Sequence, residues 1–110
     1  MIVLPFPPAS LSGHNNKTWR SKAPTIKLFR EWARVAVLEA KPVIPATGDI
    51  RLHIHFVPPD GRGDRCNFWN RAKSAVDGLA AGLGINDKRF LPSMSFGPPE
   101  KPGRLEIEIA

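Results

Sequence analysis

The chain has 110 residues, a formal net charge of +6 and 42% apolar residues. That length fits one domain, residues 1–110, and leaves no room for a second core, while the apolar content excludes a disordered tail. The basic balance favours a polyanion as partner, nucleic acid before an anionic membrane surface; the plainer alternative is a protein that is merely basic.

The single cysteine, Cys66, excludes an intrachain disulfide and a multi-cysteine zinc site, and it suits a reducing cytoplasm, the expected compartment. No apolar run approaches the roughly 20 residues of a membrane span, so no membrane partner is expected. The opening MIVLPFPPAS lacks a basic leader region and is broken by Pro5, so it does not read as a signal peptide.

Ile2 to Phe6 reads as a short strand stopped by Pro7-Pro8. Ser10 to Lys22 is polar and glycine- and asparagine-bearing, hence a loop. Ala23 to Ala40 reads as a first helix, with Pro24 in its first turn and Leu28, Trp32, Val35, Ala36 and Glu39 at helical spacing. Asp49 to Val57 alternates: Ile50, Leu52, Ile54 and Phe56 point one way, Arg51, His53, His55 and Val57 the other. Pro58 to Gly63 is a turn-rich loop. A second helix runs from Phe68 to Leu83, with Asn67 as N-cap, Gly84 as C-cap, and an apolar stripe of Phe68, Ala72, Ala75, Val76, Leu79 and Leu83. Leu91 to Phe96 and Arg104 to Ile109 read as strands around a turn at Pro98 to Gly103. The order is β-α-β-α-β-β, which predicts an α+β domain with two helices on one face of a mixed sheet.

Chemistry-bearing residues gather around the second helix. Asn70, Lys73 and Asp77 share one helical face. Asp64 precedes the helix in GRGDRCN, and Asp87 follows it in GIND. Each has a bland reading: Lys73 and Asp77 as a weak surface ion pair, Asp64 and Asp87 as turn or capping residues. Together they supply what magnesium-dependent phosphodiester cutting requires. Magnesium takes hard oxygen ligands, usually one or two carboxylates plus waters. A lysine beside the scissile phosphate stabilises the developing charge. A helix of 16 residues spans about 24 Å at about 1.5 Å per residue. Asp64 and Asp87 therefore share a cation only if the loop after Gly84 folds back, or if a second subunit supplies one of them.

Other groups bear on the same question. His53 and His55 lie two apart on a strand, a spacing that permits chelation or simply a polar row. A nucleophilic Cys66 lacks a nearby histidine in sequence. His14, Asn15, Asn16, Lys17, Trp19, Arg20 and Lys22 interleave basic and aromatic character, as suits a nucleic-acid backbone, and so do Arg62 and Arg65 around Asp64.

In this order the motifs resemble the RusA family of Holliday-junction resolvases of bacteria, prophages and phages. LPFPPAS at 4–10 resembles that family's opening strand and PP turn, GRGDRCN its arginine-rich D-x-D-N element, Lys73-Ser-Ala-Val-Asp77-Gly-Leu its K-x-x-x-D-x-L helix, and Gly84-Ile-Asn86-Asp87 its closing G-x-D-D. The resemblance covers most of the chain and rests on the pieces in combination. It implies a homodimer that binds four-way DNA junctions and cuts them with Mg²⁺, or Mn²⁺ in its place, without a small-molecule cofactor. It makes Asp64 the first catalytic aspartate, Lys73 the catalytic lysine and Asp87 the last metal-binding aspartate, with Asn67 and Asp77 in support. Cys66 departs from the second aspartate of D-x-D, Asn86 departs from the first of the D-D pair, and the Asn67-to-Lys73 spacing is longer than in the shortest family form. A junction-binding protein that has lost cleavage, and a basic partner-binding protein, are the competing readings.

Overall fold

The computed structural model describes residues 1–11 and 19–110, of which Trp19 is described in its backbone alone. Strands β1 (Ile2–Pro5), β2 (Ile50–Val57), β3 (Phe90–Phe96) and β4 (Arg104–Ile109) form one sheet in the order β1-β4-β2-β3. Helix α1 (Trp19–Ala40) joins β1 to β2, and α2 (Phe68–Leu83) joins β2 to β3. The β-α-β-α-β-β order and the α+β class match what the alternation and helical spacing predict.

The sheet is mixed: β2 pairs β3 in parallel, and β4 runs antiparallel between β1 and β2. Parallel neighbours need a crossover, and α2 supplies it. Ile50, Leu52, Ile54 and Phe56 are fully buried and join Ile2, Leu4, Leu105 and Ile107 on the covered face. Ala33 and Val37 of α1 and Ala72, Ala75, Val76 and Leu79 of α2 complete that core. Pro92 lies in β3, where a missing N–H is tolerated because the strand is at the sheet's edge.

The two helices approach backbone to backbone. A Cβ placed on Gly78 would overlap the carbonyl oxygen of Arg30 and stand 2.9 Å from Ala33 Cβ. One turn on, a Cβ on Gly82 would overlap Val37 Cγ1 and stand 2.9 Å from the Arg34 carbonyl oxygen. Glycine here is a matter of clearance, and it draws Arg30 of α1 to the side of Asp77.

Three local expectations change. Helix α1 begins at Trp19, so Pro24 is its sixth residue and removes one i→i−4 bond instead of opening the helix. Its buried row is Phe29, Ala33 and Val37, whereas Leu28, Trp32 and Val35 are partly exposed. Apolar residues lie on several sides of this helix, so spacing alone fits either row; the close approach to α2 selects the one facing the glycines. Asn67 stands at the N-cap position of α2 without a side-chain capping bond, in helical backbone at φ −92° and ψ −6°. A preceding 3-10 turn, Arg65–Asn67, absorbs that role, and Asp64 caps it. Gly84 ends α2 as predicted, in left-handed backbone at φ 67°.

Candidate active site

Lys73 projects from the exposed side of α2. Its ammonium donates to Asp77 Oδ1 at 2.9 Å, one helical turn on, and to Asp87 Oδ2 at 2.7 Å. The second contact depends on the chain's path after α2. Gly84 turns it in left-handed backbone, its N–H reaching back to the carbonyls of Ala80 and Ala81. Asn86 then caps a short turn, Asp87–Arg89, by accepting from the Lys88 N–H at 2.9 Å. The loop therefore folds back and carries Asp87 to Lys73, though not to Asp64.

The side chains of Lys73, Asp77 and Asp87 are 52%, 43% and 40% exposed, so the cluster is reachable from solvent. The hydrogen bond from Lys73, followed by its charge, holds the Asp87 carboxyl below the ordinary carboxylate range. The Lys73 ammonium is raised above the ordinary lysine value, first by its bond to Asp87 and then by Asp77, against partial desolvation. Clefts lie on both sides of Asp77. One, of about 330 Å³, includes Arg30, Ile85, Asn86 and Asp87; the other, of about 320 Å³, includes Leu11, Arg30, Asn70, Lys73 and Ser74. Arg30 lines both. Sequence reasoning missed Arg30 because nothing in α1's own pattern points toward α2's polar side. The Ser74 hydroxyl is buried without a partner in the wall of the second cleft.

Asp64 stands apart. Its Oδ1 accepts from the Cys66 N–H at 2.9 Å, the turn-capping role that aspartate often takes. Asp77 and Asp87 share one ammonium, yet among the described residues no three His, Cys, Asp or Glu side chains converge to hold a metal ion. Asp64 therefore does not join that carboxylate pair within a single chain. Cys66 is exposed beside it.

The remaining described candidates are scattered. Arg62 and Arg65 are exposed near Asp64, with the Arg65 guanidinium 5.8 Å from the centre of the Phe96 ring. Arg20 is exposed and Lys22 half-buried at the start of α1. Asn15, Asn16, Lys17 and the side chain of Trp19 lie outside the described residues. His53 and His55 sit on the uncovered face of the sheet, where β3's register supplies hydroxyls. His53 Nδ1 meets Ser93 Oγ at 2.7 Å and its Nε2 meets Ser95 Oγ at 2.8 Å, while His55 Nδ1 meets the same Ser95 Oγ at 2.6 Å. That row is a serine–histidine network.

The oxygen-only donors Asp77 and Asp87, part-exposed and each with a carboxylate oxygen not bonded to Lys73, fit a hard cation such as Mg²⁺ better than a soft one. Asp64 adds a third carboxylate only if its turn moves or a second copy presents it.

No family model matches the chain. It is 33% identical over 98 residues to an "Uncharacterized protein" of Xylella fastidiosa (strain Temecula1), an alignment that takes in 82% of this chain and 61% of that protein. The chain thus spans about three-fifths of the relative's length.

Proposed function

We propose that the protein is a Mg²⁺-dependent endonuclease of the RusA type that binds and resolves four-way DNA junctions as a homodimer. The observation that carries the reading is the Lys73 ammonium clamped between Asp77 and Asp87 on a chain of net charge +6. Lysine beside carboxylates, open to solvent, suits a phosphodiester: the carboxylates hold the ammonium in place, and the ammonium meets the charge that builds on phosphate oxygens. Asp87 would hold the magnesium, joined by Asp64 when its turn moves or a second copy presents it, with Asp77 orienting Lys73 and Asn67 supporting the turn before α2. The metal, when bound, neutralises phosphate charge and activates water. A junction has near two-fold symmetry, so a two-fold protein presents two equivalent sites to two strands.

The test is Mg²⁺-dependent nicking of a synthetic four-way junction by wild type, Asp64→Asn and Lys73→Ala. The reading expects losses of about 10²-fold or more for each variant, the scale of removing one charge-stabilising group. Equal nicking by wild type and Asp64→Asn would remove Asp64 from the site. One observation favours a second reading: the exposed thiol of Cys66, a poor magnesium ligand, stands where the family pattern has a carboxylate. A protein that binds junctions tightly without cutting them would match it.

A further inference from the structure

On the flank of α2 away from Lys73, beneath the Gly61–Asp64 turn, lies a cleft of about 230 Å³ walled by Pro7, Pro8 and Pro59 and edged by Asp60, Arg62 and Arg71. We propose that this cleft is a phosphate pocket, with the Arg71 guanidinium as its principal ligand and a nucleic-acid backbone phosphate as its occupant. The choice of nucleic acid over free phosphate rests on the function proposed above; the phosphate chemistry does not.

Arg71 carries the argument. Its guanidinium lies over two rings, 5.2 Å from the centre of Phe68 and 5.9 Å from that of Phe6. Its Nε is buried with no hydrogen-bond partner, and no carboxylate among the described residues pairs with it. An arginine that only braced the turn would spend its donors on backbone carbonyls, as Arg89 does on Gly48 and Pro45 at 3.0 and 2.8 Å. Leaving a buried donor unpaired is costly, and an anion seated against the guanidinium would offset the desolvation of the group as a whole. Burial holds the guanidinium below its ordinary pKa, with Asp60 pulling the other way; a bound phosphate would oppose the same desolvation.

The surroundings suit a tetrahedral anion. Proline walls are stiff and offer no N–H, so the polar contacts fall to the arginines. Asp60 is the one opposing charge, and its Oδ1 already accepts from the Arg62 N–H at 2.9 Å. Two guanidinium groups against one carboxylate leave the cleft positive. Arginine's planar fork matches phosphate oxygens two at a time. The pocket borders the turn that carries Asp64: a Cβ on Gly63 would stand 3.0 Å from an Arg71 terminal nitrogen.

The experiment titrates the full chain with inorganic pyrophosphate by calorimetry. In parallel, binding of a labelled four-way junction is followed by anisotropy across a KCl series. Wild type is expected to bind both. Arg71→Gln should weaken pyrophosphate at least tenfold and lower the slope of log affinity against log salt by about 0.9, the loss of one phosphate contact. Arg71→Lys should keep the slope, and Asp60→Asn should tighten pyrophosphate, a gain no bracing role predicts. Junction binding with an unchanged slope and unchanged pyrophosphate affinity in Arg71→Gln overturns the pocket and leaves the nuclease reading intact. Arg71-dependent pyrophosphate binding without junction binding keeps the pocket, assigns it to free phosphate, and removes the nucleic-acid reading. Binding of neither ligand by wild type overturns both. Should Arg71→Gln fail to fold, Asp60→Asn and Arg62→Gln decide: opposite shifts in pyrophosphate affinity support the pocket, and no shift refutes it.

Discussion

Replacing Gly78 by alanine sets two effects of known size against each other. Alanine is the better helix former by about 1 kcal/mol, so an exposed glycine in α2 would gain stability from the change. Gly78 is not exposed: the new methyl would overlap the Arg30 carbonyl oxygen and press on Ala33 Cβ at 2.9 Å. A backbone oxygen cannot swing aside as a side chain would, so α1 must move away from α2. Overpacking of this kind costs about 1–3 kcal/mol and more when backbone has to shift; taking the upper end, the net loss is about 2 kcal/mol after the propensity gain. With an m-value of about 2 kcal/mol/M the urea midpoint falls by about 1 M, and at about 4 °C per kcal/mol the melting temperature falls by about 8 °C. Gly61→Ala is the control, since nothing lies within 4 Å of its added methyl; it should stay within about 0.5 kcal/mol of wild type. Chemical denaturation of the three proteins decides the matter. A Gly78→Ala variant as stable as wild type would refute the claim that helix clearance sets this position.

Lys73→Met should return the Asp87 carboxyl toward the ordinary range, seen as an upward shift of its midpoint in a carboxyl NMR titration. Because Asp87 is lowered in the folded state, its stabilising contribution is present above the ordinary carboxylate range and lost as pH falls through the lowered value. Lys73 is raised, so its contribution is present below the ordinary lysine value and lost as pH climbs through the raised one. The stability gap between wild type and Lys73→Met should therefore be widest near neutrality and close at both extremes; a gap independent of pH would contradict the ion pairs. Cys66→Asp places a carboxylate at an exposed position and should change stability by no more than about 0.5 kcal/mol. It should lower the Mg²⁺ needed for junction nicking by about tenfold or more, the scale of a change around a metal site; an unchanged Mg²⁺ requirement would mean that Cys66 does not limit metal binding.

Much of the fold is local and was therefore legible. The alternation of Ile50, Leu52, Ile54 and Phe56 settles which side of β2 meets the helices, because successive strand residues face opposite ways. Gly84 after an apolar stripe marks the end of α2, because glycine takes left-handed backbone without penalty. Lys73 and Asp77 are neighbours by helical geometry alone. The charge of +6 and the lone thiol are likewise matters of composition, independent of any fold.

The encounters between distant segments belong to the tertiary structure. Asp87 meets Lys73 only because the chain turns back after Gly84, and a loop's path is fixed by what it packs against. Asp64 caps its own turn instead of joining them, a choice between two roles that aspartate fills equally well in sequence. The row of α1 that is buried, the arrival of Arg30 beside Asp77 and the unpaired donor of Arg71 all follow from how closely α1, α2 and the Pro58–Asp64 segment approach. Spacing along a chain gives the direction in which a side chain leaves its own element; what it meets there depends on the packing of all the others.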